Sequence, residues 1–118
     1  MEFEIEFYKD INGDSPIEEF LDELEIKNAL LFDQTLRGFK KLENRVYHKE
    51  PLSKYLEPGL WELRIKSGND TLRVIYTFKK GQIIIFLHIF IKKQQKTPTK
   101  ELEETRKRLK DLKMREII

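Results

Sequence analysis

The chain contains no cysteine, which excludes a disulfide framework, a thiolate metal site and a thiol nucleophile. That absence accords with a reducing cytoplasm. Histidine is scarce: His48 and His88 are the two copies, and neither sits in an HExxH or comparable spacing, so no metal is expected. The five glycines form no glycine-rich phosphate loop, there is no Ser/His/Asp signature, and no cofactor is expected. Long apolar runs are also missing. The longest, Ile83 to Ile91, is nine residues and includes His88, far short of the ~20 residues of a membrane span. The start, Met1-Glu-Phe-Glu, has no basic segment, so no signal peptide is expected, and the protein reads as cytoplasmic with no membrane partner.

What is present is charge. Charged residues make up 37% of the 118 and hydrophobic residues 39%, enough for a single domain over residues 1–118 with one modest core. The net charge of +2 conceals an asymmetry: residues 1–34 hold eleven acids and two bases, and residues 35–118 hold ten acids and twenty-one bases. Two solvated helix faces would account for this. So would a basic surface that meets phosphate beside an acidic flank, and charge alone does not choose between them.

Glu2 to Phe7 alternates apolar and acidic residues, the pattern of a half-buried strand. Ser15-Pro16-Ile17-Glu18 reads as a capped helix start. Phe20, Leu21 and Leu24 make its apolar stripe. A break near Glu25 separates it from a second helix over Ile26 to Leu42, with Leu30, Leu31, Leu36 and Phe39 expected inward. Glu43 to Glu57 has no clear period and reads as a loop. Three strand-like runs follow, Leu60–Lys66, Thr71–Phe78 and Gln82–Ile91, separated by Ser67-Gly-Asn-Asp70 and Lys79-Lys-Gly81. Thr97 or Thr99 would cap a last helix, with Pro98 at its start, running to about Lys113. The expected class is α+β, in the order β-α-α-β-β-β-α, with an antiparallel-rich sheet and helices packed on one face.

Two-residue turns at Gly68-Asn69 and Lys80-Gly81 would pair Arg64 with Arg73 and Arg73 with His88, one row across three strands. Phe90 and Lys92 share the parity of His88. Leu63, Ile65, Leu72, Val74, Tyr76, Ile85, Leu87 and Ile89 would face the helices, with Trp61 on the same parity as Tyr76. Directly opposed arginines repel. Either a carboxylate offsets this, with Glu62 the nearest on that face, or an external anion such as phosphate does, which suits the planar guanidinium fork. His88 fits a hydrogen-bonded core residue or a general acid–base group. Lys92, Lys93 and Lys96 extend a positive track beyond the strand, and Phe90 could stack a base.

Leu60-Trp-Glu-Leu-Arg64, Arg73-Val-Ile-Tyr76 and Leu87-His-Ile-Phe-Ile-Lys-Lys-Gln-Gln-Lys-Thr-Pro98, taken in order, resemble the phage-derived, HigB-like branch of the RelE/ParE toxin superfamily. The resemblance spans roughly Phe3 to Leu112. It implies a β-α-α-sheet-helix fold and a type II toxin–antitoxin toxin that cuts messenger RNA in the ribosomal A site. It also implies a helix-turn-helix, HigA-like antitoxin through which the complex would bind operator DNA. Arg64, Arg73 and the lysines 92, 93 and 96 match its motifs. The His-Gly-Phe pattern of this branch reads His88-Ile89-Phe90 here, without the glycine.

RNA can be cut by its own 2′-hydroxyl attacking the adjacent phosphate. On that chemistry Arg73 and Arg64 would stabilise the charge developing on phosphorus. Lys93, with Lys92 and Lys96, would grip the backbone and share that stabilisation, and His88 would serve as base or acid. A gyrase-inhibiting toxin of the ParE type shares the fold and is a second possibility. A non-catalytic nucleic-acid-binding module is a third.

Overall fold

The computed structural model describes residues 2–92 and 97–118. The first strand, β1 (Glu4–Phe7), leads through a turn at residues 10–14 to α1 (Pro16–Lys27). The Ser15 hydroxyl accepts from the Glu18 amide at 3.3 Å and Pro16 opens the helix, as the sequence suggests. The helix break falls at Asn28 rather than near Glu25. Its amide closes α1 on the Leu24 carbonyl at 2.8 Å, and its side-chain oxygen accepts from the Leu31 amide at 3.1 Å to open α2 (Ala29–Leu42). The buried stripe of α2 is Leu31, Thr35, Gly38, Phe39 and Leu42. Leu30 and Leu36, expected inward, point to solvent because they lie off that three- and four-residue spacing. Gly38 lets α2 approach the sheet closely: a Cβ there would stand 2.8 Å from Ile65 Cδ1.

A single 3₁₀ turn (Arg45–Tyr47) follows, then β2 (Ser53–Glu57), β3 (Leu60–Ser67), β4 (Asp70–Lys79), β5 (Ile83–Lys92) and α3 (Thr99–Met114). The sheet order is β1-β5-β4-β3-β2, with β1 parallel to β5 and the other pairings antiparallel. Strand β2 lies inside the stretch expected to be loop. It is a short edge strand, half exposed and with an irregular register against β3, so it carries little alternation to read.

The first hairpin has the expected register: Ser67 faces Asp70 and Arg64 faces Arg73. The second does not. Its turn takes in Gln82, at φ 60°, so Lys79 faces Ile83. A bulge then falls between the Tyr76–Phe86 and Ile75–His88 pairs. Each irregularity shifts the pairing by one residue, so Arg73 faces Phe90 and not His88. Because the two shifts sum to two, His88 stays on the face of Arg73, beside Ile75.

The bulge also creates a second core, so helices cover both faces of the sheet and not one. Leu63, Ile65, Leu72, Val74, Tyr76, Ile84, Phe86 and Ile89 pack with residues of α1 and α2. Ile85 and Leu87, expected on that side, instead join Leu60, Ile75, Phe90, Leu109 and Leu112 beneath α3. Among the described residues no helix is long and apolar enough to cross a membrane.

Candidate nucleic-acid interface

On the α3 face, beyond the end of the second core, the apolar residues give way to Glu62, Arg64, Arg73 and Lys92. Glu62 is fully buried. It accepts from Arg73 Nη1, from Arg64 Nε at 3.2 Å and from the Thr97 hydroxyl at 2.6 Å. One carboxylate thus sits between the two opposed arginines, and Arg64 reaches a second, Glu50, at 3.6 Å. Burial opposes ionisation of Glu62. The Thr97 hydroxyl, the Arg73 charge and the bonds from both guanidinium groups outweigh it and hold the carboxyl below its ordinary range. The arginine pair is therefore pinned rather than loose. Arg73 is 8% exposed, and its Nε, buried, has no hydrogen-bond partner among the described residues. An unsatisfied buried N–H is uncommon and costly, and such groups concentrate at working sites.

The pair opens onto a cleft of about 940 Å³. Six cations line it, Arg64, Lys66, Arg73 and Lys92 from the strands and Lys41 and Lys49 from the end of α2 and the loop after it, against one lining carboxylate, Glu50. Lys92 is buried at the end of β5. Burial, reinforced by the charge of Arg73, lowers its ammonium to about 8, with Glu62 acting in the opposite sense. Crowded cations with one shared counter-ion form a surface suited to a polyanion.

Arg64, Arg73 and Lys92 are brought together; His88 and Phe90 are not part of the cleft. His88 is clamped between β5 and α3. Arg108 donates to its Nδ1 at 2.9 Å, so Nδ1 accepts, and Nε2 donates to Glu101 at 3.0 Å. Burial and the Arg108 charge together lower its pKa in spite of Glu101, which favours the neutral ring. Phe90 is buried in the second core with its ring 5.5 Å from that of His88, so it packs and does not present a face to a base. Lys93 and Lys96 lie outside the described residues. Thr97 ties to Glu62 rather than capping α3, whose N-cap position is Pro98 with no side-chain cap bond.

The cations Lys41, Lys49 and Lys66 were not singled out from sequence. Lys41 and Lys49 belong to segments with no site motif, and only the folded loop brings them to the strands. His48, the other histidine, is structural: Nε2 bonds the Leu42 carbonyl at 2.7 Å and the ring packs on Phe3 at 4.6 Å. Among the described residues no group of three or more His, Asp or Glu is placed to hold a metal.

Comparison with known proteins places this arrangement in context. A search of the curated proteins gives no match. The family model described as phage derived protein Gp49-like (DUF891) matches residues 19–110, which include both helices of the first core, the whole β2–β5 region and most of α3. The chain therefore belongs to the phage-derived Gp49-like family, a toxin-like module of toxin–antitoxin systems within the RelE/ParE-like superfamily.

Proposed function

We propose that this protein is a HigB-like toxin that cuts messenger RNA on the ribosome. The observation that carries the proposal is the opposed Arg64–Arg73 pair, pinned on buried Glu62 beside a cleft lined by six cations. In this reaction the 2′-hydroxyl attacks the adjacent phosphorus and the 5′ oxygen leaves. Arg73 and Arg64 hold the non-bridging oxygens as negative charge grows, and because Glu62 fixes them beforehand little reorganisation is needed. Lys92, with its ammonium lowered to about 8, is charged at neutral pH yet gives up a proton more readily than an ordinary lysine, and it is the group proposed to protonate the leaving oxygen. Lys93 and Lys96, next along the chain, are proposed to grip the RNA backbone. His88, held away from the cleft, acts here as a fixed strut and not as the base.

The family implies an antitoxin partner, proposed to be a helix-turn-helix, HigA-like protein that carries the complex to operator DNA in the cytoplasm. The deciding experiment adds the protein to a reconstituted translation system, with and without ribosomes, and maps breaks in a defined messenger by primer extension. Ribosome-dependent breaks that fall on the order of 10²–10³-fold in Arg73→Ala support the assignment, by analogy with deleted oxyanion donors. An intact messenger with folded wild-type protein refutes it and moves the activity to gyrase inhibition or plain binding.

A further inference from the structure

The loop that borders the cleft carries an apolar patch that the cation chemistry leaves unused. Val46 is 56% exposed and Tyr47 39% exposed, and both line the cleft with Pro51 and Leu52. Tyr47 is the one aromatic residue lining it among the described residues. Phe90 is buried, and Tyr55, though exposed, packs edge-on to Trp61 outside the cleft.

The turn that presents Tyr47 is fixed on every side. Asn44 caps it by accepting from the Val46 amide at 3.1 Å, and the Tyr47 amide donates to the Asn44 carbonyl at 3.1 Å. The His48 amide donates to the Arg45 carbonyl at 3.0 Å, while the His48 ring is bonded to α2 through the Leu42 carbonyl. The Arg45 amide reaches Glu2 at 3.0 Å. Lys41 Nζ stands over the Tyr47 ring, 5.8 Å from its centroid, bringing positive charge beside the aromatic face. A rigid, half-exposed ring bordered by lysine and arginine is the combination that single-stranded nucleic-acid sites use: cations track the backbone and aromatic faces stack the bases.

We propose that Tyr47 is the floor of a nucleobase subsite, with a single-stranded RNA laid so that one phosphate meets Arg64 and Arg73 and a neighbouring base stacks on the Tyr47 ring. The inference rests on the nucleic-acid reading of the cleft given above. The excess of lining cations favours a polyanion over a protein segment as occupant. Stacking tolerates any base, so Tyr47 contributes affinity and placement more than sequence choice.

The test compares two short probes of equal length, a 2′-O-methylated single-stranded RNA, which cannot be cut, and an abasic strand with the same phosphates. The full chain and its Tyr47→Ala and Tyr47→Phe variants are titrated with each. The expected result is tighter binding of the base-bearing strand by the wild type, lost in Tyr47→Ala by roughly 5- to 150-fold and kept in Tyr47→Phe, with abasic binding unchanged throughout. Equal wild-type affinity for both strands, or base preference surviving in Tyr47→Ala, overturns the subsite while leaving the phosphate cleft standing. Tyr47→Ala that binds RNA normally but loses the cognate antitoxin overturns it in favour of protein docking. A wild type that binds neither strand overturns the nucleic-acid reading itself.

Discussion

Replacing Glu62 with glutamine should be among the most damaging conservative substitutions in the chain. The side chain keeps its shape, but the negative charge between two guanidinium groups is removed and an amide N–H₂ is turned toward donors. Arg73, 8% exposed, is left charged and buried, facing Arg64 across the ladder. Breaking one half of a buried ion pair costs about 3–5 kcal/mol. The Arg64 side chain is 27% exposed and water screens its share, which puts the expected loss near the lower end, about 3 kcal/mol. That is a large part of the ~5–15 kcal/mol that stabilises a domain. Urea denaturation at neutral pH measures it directly, as a fall in midpoint at constant slope. The pH dependence supplies a second constraint. The Glu62 carboxyl ionises below its ordinary range in the folded state, so its stabilisation is fully present above the unfolded carboxylate pKa of about 4.3. It is lost as pH falls through the lower folded value. The gap between wild type and Glu62→Gln should therefore be widest near neutrality and close in acid. A loss under about 1 kcal/mol, or a gap that ignores pH, would refute the pinned-pair account. The double variant Glu62→Leu/Arg73→Leu should regain much of the stability, since apolar replacement of a buried pair is often neutral, while its cleavage activity stays lost.

Other perturbations have equally definite outcomes. Lys92 should titrate near 8 by NMR of its side chain, and Arg73→Gln should raise that midpoint by removing a neighbouring positive charge. Because its folded pKa lies below the unfolded one, Lys92 disfavours the fold at neutral pH. Wild-type stability should therefore rise relative to Lys92→Met as pH climbs from about 8 toward ~10.4. Asn28→Ala removes the side-chain cap of α2 and should cost about 1 kcal/mol in denaturant unfolding, with Asn28→Ser restoring most of it. Gly38→Val should overpack α2 against Ile65 by about 1–3 kcal/mol, and adding Ile65→Ala should relieve part of the loss. If RNA occupies the cleft, Lys66→Ala should lower the slope of log affinity against log salt by about 0.7 for a single strand.

The first hairpin was legible because Gly68 and Asn69 fix a two-residue turn, and with the turn fixed the period of two places Arg64 opposite Arg73. Nothing comparable fixes the second. Lys79-Lys80-Gly81-Gln82 admits a turn of two residues or three, and the bulge at Leu87 falls within an unbroken apolar run where every residue suits either face. The parity of His88, Phe90 and Lys92 came out right only because two one-residue shifts add to a whole period; the residues between them, Ile85 and Leu87, came out on the wrong face. That single error hid the second core, and with it the place of α3. Its helical spacing is readable, but a stripe does not say which face of a sheet it covers.

The same gap explains why His88 looked like a catalytic candidate. The residues that hold it, Glu101 and Arg108, are seven apart on one face of α3, two turns of helix, and in sequence they read as ordinary members of a charged surface. Only docking of α3 on the far side of the sheet turns that stripe into a buried clamp. Two histidine-to-glutamine outcomes follow. If His88 is a strut, His88→Gln should lower stability, because its amide cannot both accept from Arg108 and donate to Glu101 with the ring's geometry, while the cleavage rate per folded molecule holds. If His88 is the base, the rate should fall in protein that remains fully folded. Measuring unfolding and messenger cleavage on the same preparation separates the two. The structure favours the first outcome, since the ring's hydrogen bonds run to α3 and the cleft is built from Arg64, Arg73 and Lys92, whose positions were set by the one turn the sequence made unambiguous and by the bulge that it did not.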